Sequence, residues 1–256
     1  MKVSVCCPSY RRPKKVETAD YLPFVKVYID KSEEVVYREN NPNLEIKVCP
    51  DGVQGNLCRV RNYILKNEFQ EGADAVLIVD DDLMGVFYFE KLKKHKIETK
   101  DFLNFIERYS MLAKEWGVKF WGLNVNSDKQ CYREYSPFST LSYIGGPFQC
   151  FLRGNECLYD ERLPLKEDYD MTLQQLNKYR KVLRLNKYYY VSRQAEQAGG
   201  CAVYRNLDRE MKQFRMLQKK WGSKIVKRDK NDRCHKSTKI RRVDINPVIT
   251  IPIAGI

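Results

Sequence analysis

Three consecutive carboxylates, Asp80-Asp81-Asp82, close the apolar run Ala75-Val76-Leu77-Ile78-Val79. A run this rich in Val and Ile reads as a strand buried on both faces of a parallel sheet. Ligands of open α/β sheets bind at the carboxyl ends of strands, which is where these acids fall. Side-chain alternation sets Asp80 and Asp82 on one side and Asp81 on the other. Like charges that close raise one another's pKa unless a cation intervenes. A Mg²⁺ or Mn²⁺ carrying a substrate diphosphate supplies that charge. The structural alternative is that Asp82 caps a following helix. A second acid pair, Glu167-Asp168, precedes a helical stretch from about 171 to 179. It is either a helix cap or a general base for a hydroxyl nucleophile. His235 is either a metal ligand or a surface residue, and His95, inside Lys93-Lys94-His95-Lys96, reads as solvated.

The elements that must position these acids alternate. Residues 3–7 form a first strand that ends at Pro8-Ser9-Tyr10-Arg11-Arg12-Pro13, a loop able to stack a base and bind phosphates, or else a surface turn. Residues 24–29 form a second strand closed by Asp30, with Ser32 as a helix N-cap. Residues 46–49 form a third, and Gly52 and Gly55 then lead into a helix with Leu57, Val60 and Ile64 on one face and Arg59 near Asn62. The carboxylate strand is therefore the fourth of a β/α series. An aspartate-nucleophile phosphatase would carry its acids after the first strand instead. A helix over 100–116, a strand over 120–125 and a polar loop over 126–139 follow. Strands over 140–144 and 148–152 flank Gly145-Gly146-Pro147, which is either a hairpin turn or a place where backbone meets ligand. A strand over 188–191 and a helix over 207–221 complete the series.

The chain has 256 residues and 43% hydrophobic content, enough for one sizeable α/β core. No apolar run has the length of a membrane helix, and Met1-Lys2 leads directly into strand, so no membrane partner and no signal peptide are expected. Nine scattered cysteines without a C-x-x-C pair read as reduced thiols of a cytoplasmic protein. Charge is concentrated: residues 205–242 hold fifteen Lys/Arg against four Asp/Glu, while the whole chain is only +13. A basic block of this kind points to a polyanion, nucleic acid first, or to a solvated face.

Taken together, Pro8-Ser9-Tyr10-x-Arg12, Asp30, the stretch from Gly52 to Asn62, Asp80-Asp81-Asp82 and Glu167-Asp168 stand in the order of a GT-A glycosyltransferase, and residues 1–200 resemble that family. The resemblance implies a Rossmann-like, mostly parallel sheet flanked by helices over residues 1–204, with 205–256 as a basic helical extension. It implies that Pro8, Ser9, Tyr10, Arg12 and Asp30 hold the nucleoside of a nucleotide-diphosphate sugar. Arg59, Asn62 and Asp81 would lie near its ribose, diphosphate or sugar. Asp80 and Asp82 would hold Mn²⁺ or Mg²⁺, with His235 as a further ligand, and Glu167 or Asp168 would be the base. Val-Asp-Asp-Asp-Leu, Leu-x-x-Glu-Asp-Tyr-Asp-Met and Gln-Ala-Gly-Gly-Cys resemble more narrowly the phage glycosyltransferases associated with TET/JBP dioxygenases, relatives of the base J glucosyltransferase. That implies a UDP-sugar donor and a hydroxymethylpyrimidine acceptor in DNA, such as 5-hydroxymethylcytosine, in the host cytoplasm. The alternatives are a carbohydrate or protein acceptor, and an inactive nucleic-acid-binding protein.

Overall fold

A computed structural model of the chain describes residues 1–14, 16–91, 93–128, 132–192, 200–228 and 245–251. Four short strands, β1 (Val3–Pro8), β2 (Lys26–Ile29), β3 (Glu45–Val48) and β4 (Ala75–Val79), pair in parallel in the order β3-β2-β1-β4. Every residue of β4 is buried, as an uninterrupted Val/Ile/Leu run requires. Beyond β4 the sheet is mixed. The strand after the carboxylates, β5 (Leu83–Glu90), hairpins into β6 (Lys93–Lys96), while β7 (Phe120–Asn124), the two-residue β8 (Phe138–Ser139), β9 (Phe148–Leu152) and β10 (Leu183–Ser192) complete the sheet. The order continues β4-β9-β7-β10-β5-β6, with β8 on β10. β9 is antiparallel to both β4 and β7, and β10 is parallel to β7 and antiparallel to β5. Strands β1–β4, β6, β7 and β10 thus share one direction, giving the mostly parallel, helix-flanked sheet expected.

Both faces are covered. α3 (Leu57–Gln70) and α5 (Glu167–Tyr179) share one core cluster with Cys6, Tyr28, Val76, Ile78 and Phe151. α4 (Thr99–Glu115) lays Phe102, Phe105, Ile106 and Tyr109 on the other face, against Leu77, Val79 and Trp121. The short α1 (Thr18–Tyr21) and α2 (Glu34–Asn40) pack on that face too. All seven described cysteines are free. Among the described residues no helix is long and apolar enough to cross a membrane.

Several local expectations are corrected. A strand follows Asp82, so that residue caps no helix. Residues 140–144 bend instead of forming a strand, because β4 and β7 already occupy both edges of β9. Asp30, not Ser32, caps the turn after β2; its Oδ1 accepts from Ser32 N at 2.8 Å. α5 opens at Glu167, which puts the acid pair in its first turn. His95 is half-buried and stacked on Tyr88, with ring centroids 5.1 Å apart.

The described residues beyond 204 dock on α5. α6 (Leu207–Trp221) buries Phe214 and Leu217 with Leu163, Leu173, Val226 and Ile245. The small pair β11 (Val226–Arg228) and β12 (Pro247–Ile249) closes beside it. Buried polar contacts fix the register: the Lys166 ammonium meets the Glu210 carboxylate, Gln213 Oε1 accepts from Leu165 N at 2.7 Å, and Trp221 Nε1 donates to Asp170 Oδ1 at 2.7 Å. Removing one partner of a buried ion pair leaves the other charge uncompensated, at a cost of about 3–5 kcal/mol. Glu210→Ala is therefore expected to lower unfolding free energy by roughly that amount in urea titration. A change under about 1 kcal/mol would show that water reaches the pair.

Candidate active site

The carboxyl end of β4 opens into a cleft of about 640 Å³. The turn at its floor is pinned from α1: Thr18 Oγ1 donates to Asp80 O at 2.5 Å and accepts from Leu83 N at 2.9 Å. The three carboxylates are then separated by their partners. Asp80, the most exposed, takes Arg61 Nη2 at 2.7 Å. Asp81 turns to the first loop, where Ser9 Oγ donates at 2.8 Å and Arg12 Nη1 at 2.5 Å. Asp82 is buried, and among the described residues its Oδ1 has no hydrogen-bond partner. Burial pushes the Asp81 carboxyl up to about 6 against the pull of Arg12 and Ser9. Burial first, then the charges of Asp80 and Asp81, push Asp82 up to about 7.

Across the cleft stands the acid pair. Glu167 accepts from Arg61 Nη1 at 3.2 Å, and burial followed by the Asp168 charge raises it to about 8. Asp168, the less buried of the two, accepts from Gly146 N at 3.2 Å, Tyr169 N at 2.8 Å and the Tyr143 hydroxyl. Gly146 explains its own residue type: a Cβ there would lie 3.3 Å from Glu167 Oε1 and 3.4 Å from Asp168 Oδ2. Arg61 spans the two sides. It is fully buried, and its Nη2 also donates to Gly146 O at 3.1 Å. Burial opposes its charge, but Tyr159, Asp80 and Glu167 hold it protonated.

Of the residues singled out from sequence, Pro8, Ser9, Tyr10, Arg12, Asp80, Asp81, Asp82, Glu167 and Asp168 line this one cleft. Three described ones do not. Asp30 caps its turn. Arg59 holds the preceding loop through Gln54 O at 3.1 Å, and Asn62 clamps Tyr159 through its backbone N and O. His235 lies outside the described residues. Sequence reading passed over Arg61, Thr18, Gln54 and the tyrosines 143, 169 and 190. Arg61 had a signal: it sits at i+4 from Leu57 and i−4 from Leu65, on the apolar stripe of α3, where a charge demands a buried partner.

Among the described residues no three His, Cys, Asp or Glu side chains gather as a metal cluster. Asp80 and Asp82 nevertheless fit a Mg²⁺-type ion, which takes one or two carboxylates and completes its shell from substrate phosphates and water. The orphaned Asp82 oxygen is the atom such an ion would satisfy. In the metal-free protein, Asp82 has a folded pKa near 7 against about 4 when unfolded. Its contribution is therefore most favourable below about pH 4 and is lost as pH rises toward 7. Asp82→Asn is expected to stabilise metal-free protein at pH 8 by on the order of 1–3 kcal/mol, and by much less at pH 5. Thermal melts at both pH values check this, and equal effects at the two would refute it.

Solved structures with partial likeness include mannose-1-phosphate geranyltransferase from Thermus thermophilus, at 12% identity, 75% coverage of both chains and TM-score 0.41. Another is CMP:2-keto-3-deoxy-manno-octonic acid synthetase complexed with CTP, at 12% identity, covering 86% of this chain and all of that one, with TM-score 0.44. UDP-glucose pyrophosphorylase complexed with UDP-glucose has 7% identity, 75% and 92% coverage, and TM-score 0.42. No curated protein matches the chain. Residues 4–200, which contain the carboxylate turn, Arg61 and the acid pair, match the family model described as TET-Associated Glycosyltransferase, and the chain belongs to that glycosyltransferase family.

Proposed function

We propose that this glycosyltransferase moves a sugar from a nucleotide-diphosphate sugar, a UDP-sugar in the first instance, to the hydroxymethyl group of a modified pyrimidine in DNA, such as 5-hydroxymethylcytosine. The observation that carries the reading is the two-sided cleft: a carboxylate turn with a partnerless buried oxygen faces an acid pair, and one buried arginine links them. The first loop, with Tyr10 and Arg12, suits the nucleoside and its phosphates. Asp80 and Asp82 would hold Mn²⁺ or Mg²⁺, which when bound neutralises the departing diphosphate. Asp168 would take the acceptor hydroxyl proton as the new bond to the anomeric carbon forms and the bond to diphosphate breaks. Tyr143, Gly146 and Tyr169 orient its carboxylate for that role.

A DNA acceptor fits the charge of the chain. On the described part of the basic segment, Lys212, Arg215, Lys219, Lys224 and Lys227 are exposed. A base inside a duplex must be flipped or single-stranded to enter such a cleft. We treat residues 205–256 as an extension of the catalytic domain, and the phage-infected cytoplasm as the site of action.

Hydroxymethylated DNA incubated with Mn²⁺ and a panel of sugar nucleotides is expected to yield a nucleoside one sugar heavier by mass spectrometry. Asp168→Asn is expected to lower kcat about 10²–10⁴-fold with donor affinity kept. Asp80→Asn and Asp82→Asn should lose turnover and metal-dependent donor binding together. Donor hydrolysis with no modified nucleoside from any donor would move the acceptor to a carbohydrate or protein.

A further inference from the structure

We propose that the face of the β5–β6 hairpin turned away from α4 is a docking track for the DNA strand flanking the target base; this rests on the DNA-acceptor reading. Cross-strand pairing places the lysines of this hairpin among aromatic rings. Phe87 stands opposite Lys96 and Phe89 opposite Lys94, while Tyr189 of β10 stands opposite Phe87. By alternation these five side chains share one face. Tyr189 stacks between the two phenylalanines, with centroids 5.8 Å and 5.4 Å away and interplanar angles of 24° and 23°. Lys94 Nζ lies 4.0 Å from the Phe87 ring centroid. The alternate side chains Tyr88 and Tyr188 face the other way, and Tyr188 packs on Phe105 of α4. Tyr189 is buried between the two phenylalanines, so the accessible rings are those of Phe87 and Phe89, which are half-buried and belong to none of the three apolar clusters.

The charge on this face is not cancelled internally. Of the four lysines in residues 83–96, alternation puts Lys94 and Lys96 on this face and the one carboxylate, Glu90, on the other. Among the described residues neither Lys94 nor Lys96 pairs with an acid: Lys94 Nζ lies over the Phe87 ring, and Lys96 Nζ lies between Phe87, at 5.9 Å, and the buried Tyr21 of α1, at 4.5 Å. Lys220 on α6 is different, since Asp160 and Asp170 take up its charge. Flat rings interleaved with unpaired ammonium groups are what single-stranded nucleic acid uses: phosphates meet the cations and bases stack on the rings. The track also leads to the chemistry. β5 starts directly after Asp82, and Phe87 lies five residues along it, about 17 Å away at strand rise. That is about five nucleotide steps for a strand keeping the roughly 3.4 Å stacked spacing of a duplex, and fewer for an extended one.

The full chain carrying Lys94→Glu and Lys96→Glu, and separately Lys94→Gln and Lys96→Gln, tests this against the wild type. Fluorescence anisotropy would follow a labelled, hydroxymethylated single strand of about 20 nucleotides between 50 and 200 mM salt. Donor hydrolysis without DNA should stay unchanged and so report an intact cleft. The expected result is at least roughly tenfold weaker DNA binding for the Glu pair, and a salt slope shallower by about 1.4 for either pair. Trimming one flank of the oligonucleotide below about five nucleotides should cost the wild type affinity but not the variants. Equal affinity and slope in variants and wild type, with the wild type still modifying DNA, would overturn the track and leave the acceptor reading standing. A wild type that neither binds nor modifies DNA would overturn both. Lysine-dependent binding to anionic vesicles in preference to oligonucleotide would also overturn the track, in favour of a membrane surface.

Discussion

The guanidinium of Arg61 is the constraint on which the rest of this site depends. A fully buried charge with no partner is untenable, so the fold must bring carboxylates to it. It brings two, from chain segments more than eighty residues apart: Asp80 at the end of β4 and Glu167 at the start of α5. The planar fork of an arginine suits this task, since separate nitrogens serve separate partners, where a lysine would offer one point charge. Gly146 O and Gln149 Oε1, the latter at 3.4 Å, accept further bonds, so the central polar group of the core is tied on several sides. The two acidic walls of the cleft are therefore tied to each other through one buried side chain, and the loops carrying Ser9, Arg12, Tyr143 and Gly146 hold the remaining carboxylates around it.

Around that side chain the electrostatics are uneven. Arg61 takes up the charge of Asp80 and Glu167, and Arg12 takes up that of Asp81, but the buried Asp82 Oδ1 has no hydrogen-bond partner among the described residues. Two of three adjacent acids are thus committed to internal cations. The protein's own charges hold the turn in shape, and the one uncommitted oxygen is the place where an arriving ligand changes the balance most. The backbone of the turn cannot relax to relieve the crowding, because Thr18 holds it on both sides through one hydroxyl.

Much of this was legible in the sequence, for local reasons. The strand ending in three acids is an uninterrupted apolar run, and the helices over 99–115 and 207–221 show clear amphipathic spacing. The first loop and the acid pair could be placed because they lie at strand and helix ends, where side chains point into clefts. What escaped was non-local. Nothing in residues 148–152 says that they insert antiparallel between β4 and β7, and this insertion denies 140–144 an edge. Arg59 and Asn62 are marked by their spacing and by the family resemblance, whereas the cation that organises the cleft, Arg61, lies on the apolar side of the helix. Arg59 and Asn62 serve the same site indirectly, by holding the loop before α3 and the segment at Tyr159.

The family match ends at residue 200, yet the site does not. Tyr204, Arg205 and Asn246 line the cleft. More importantly, Lys166 is adjacent in sequence to Glu167 and is itself buried, with Glu210 of α6 as its counter-charge. Glu210 in turn accepts from Ile245 N at 3.2 Å, so the chain on both sides of residues 229–244 converges on one carboxylate. If α6 were absent, the Lys166 ammonium would have to move to water, and the first turn of α5 would move with it. The orientation of Glu167 and Asp168 is thus set from two directions, by Arg61 from within the core and by Glu210 from the C-terminal segment. A chain ending near residue 200 would keep every acid of the cleft and lose the counter-charge that positions two of them.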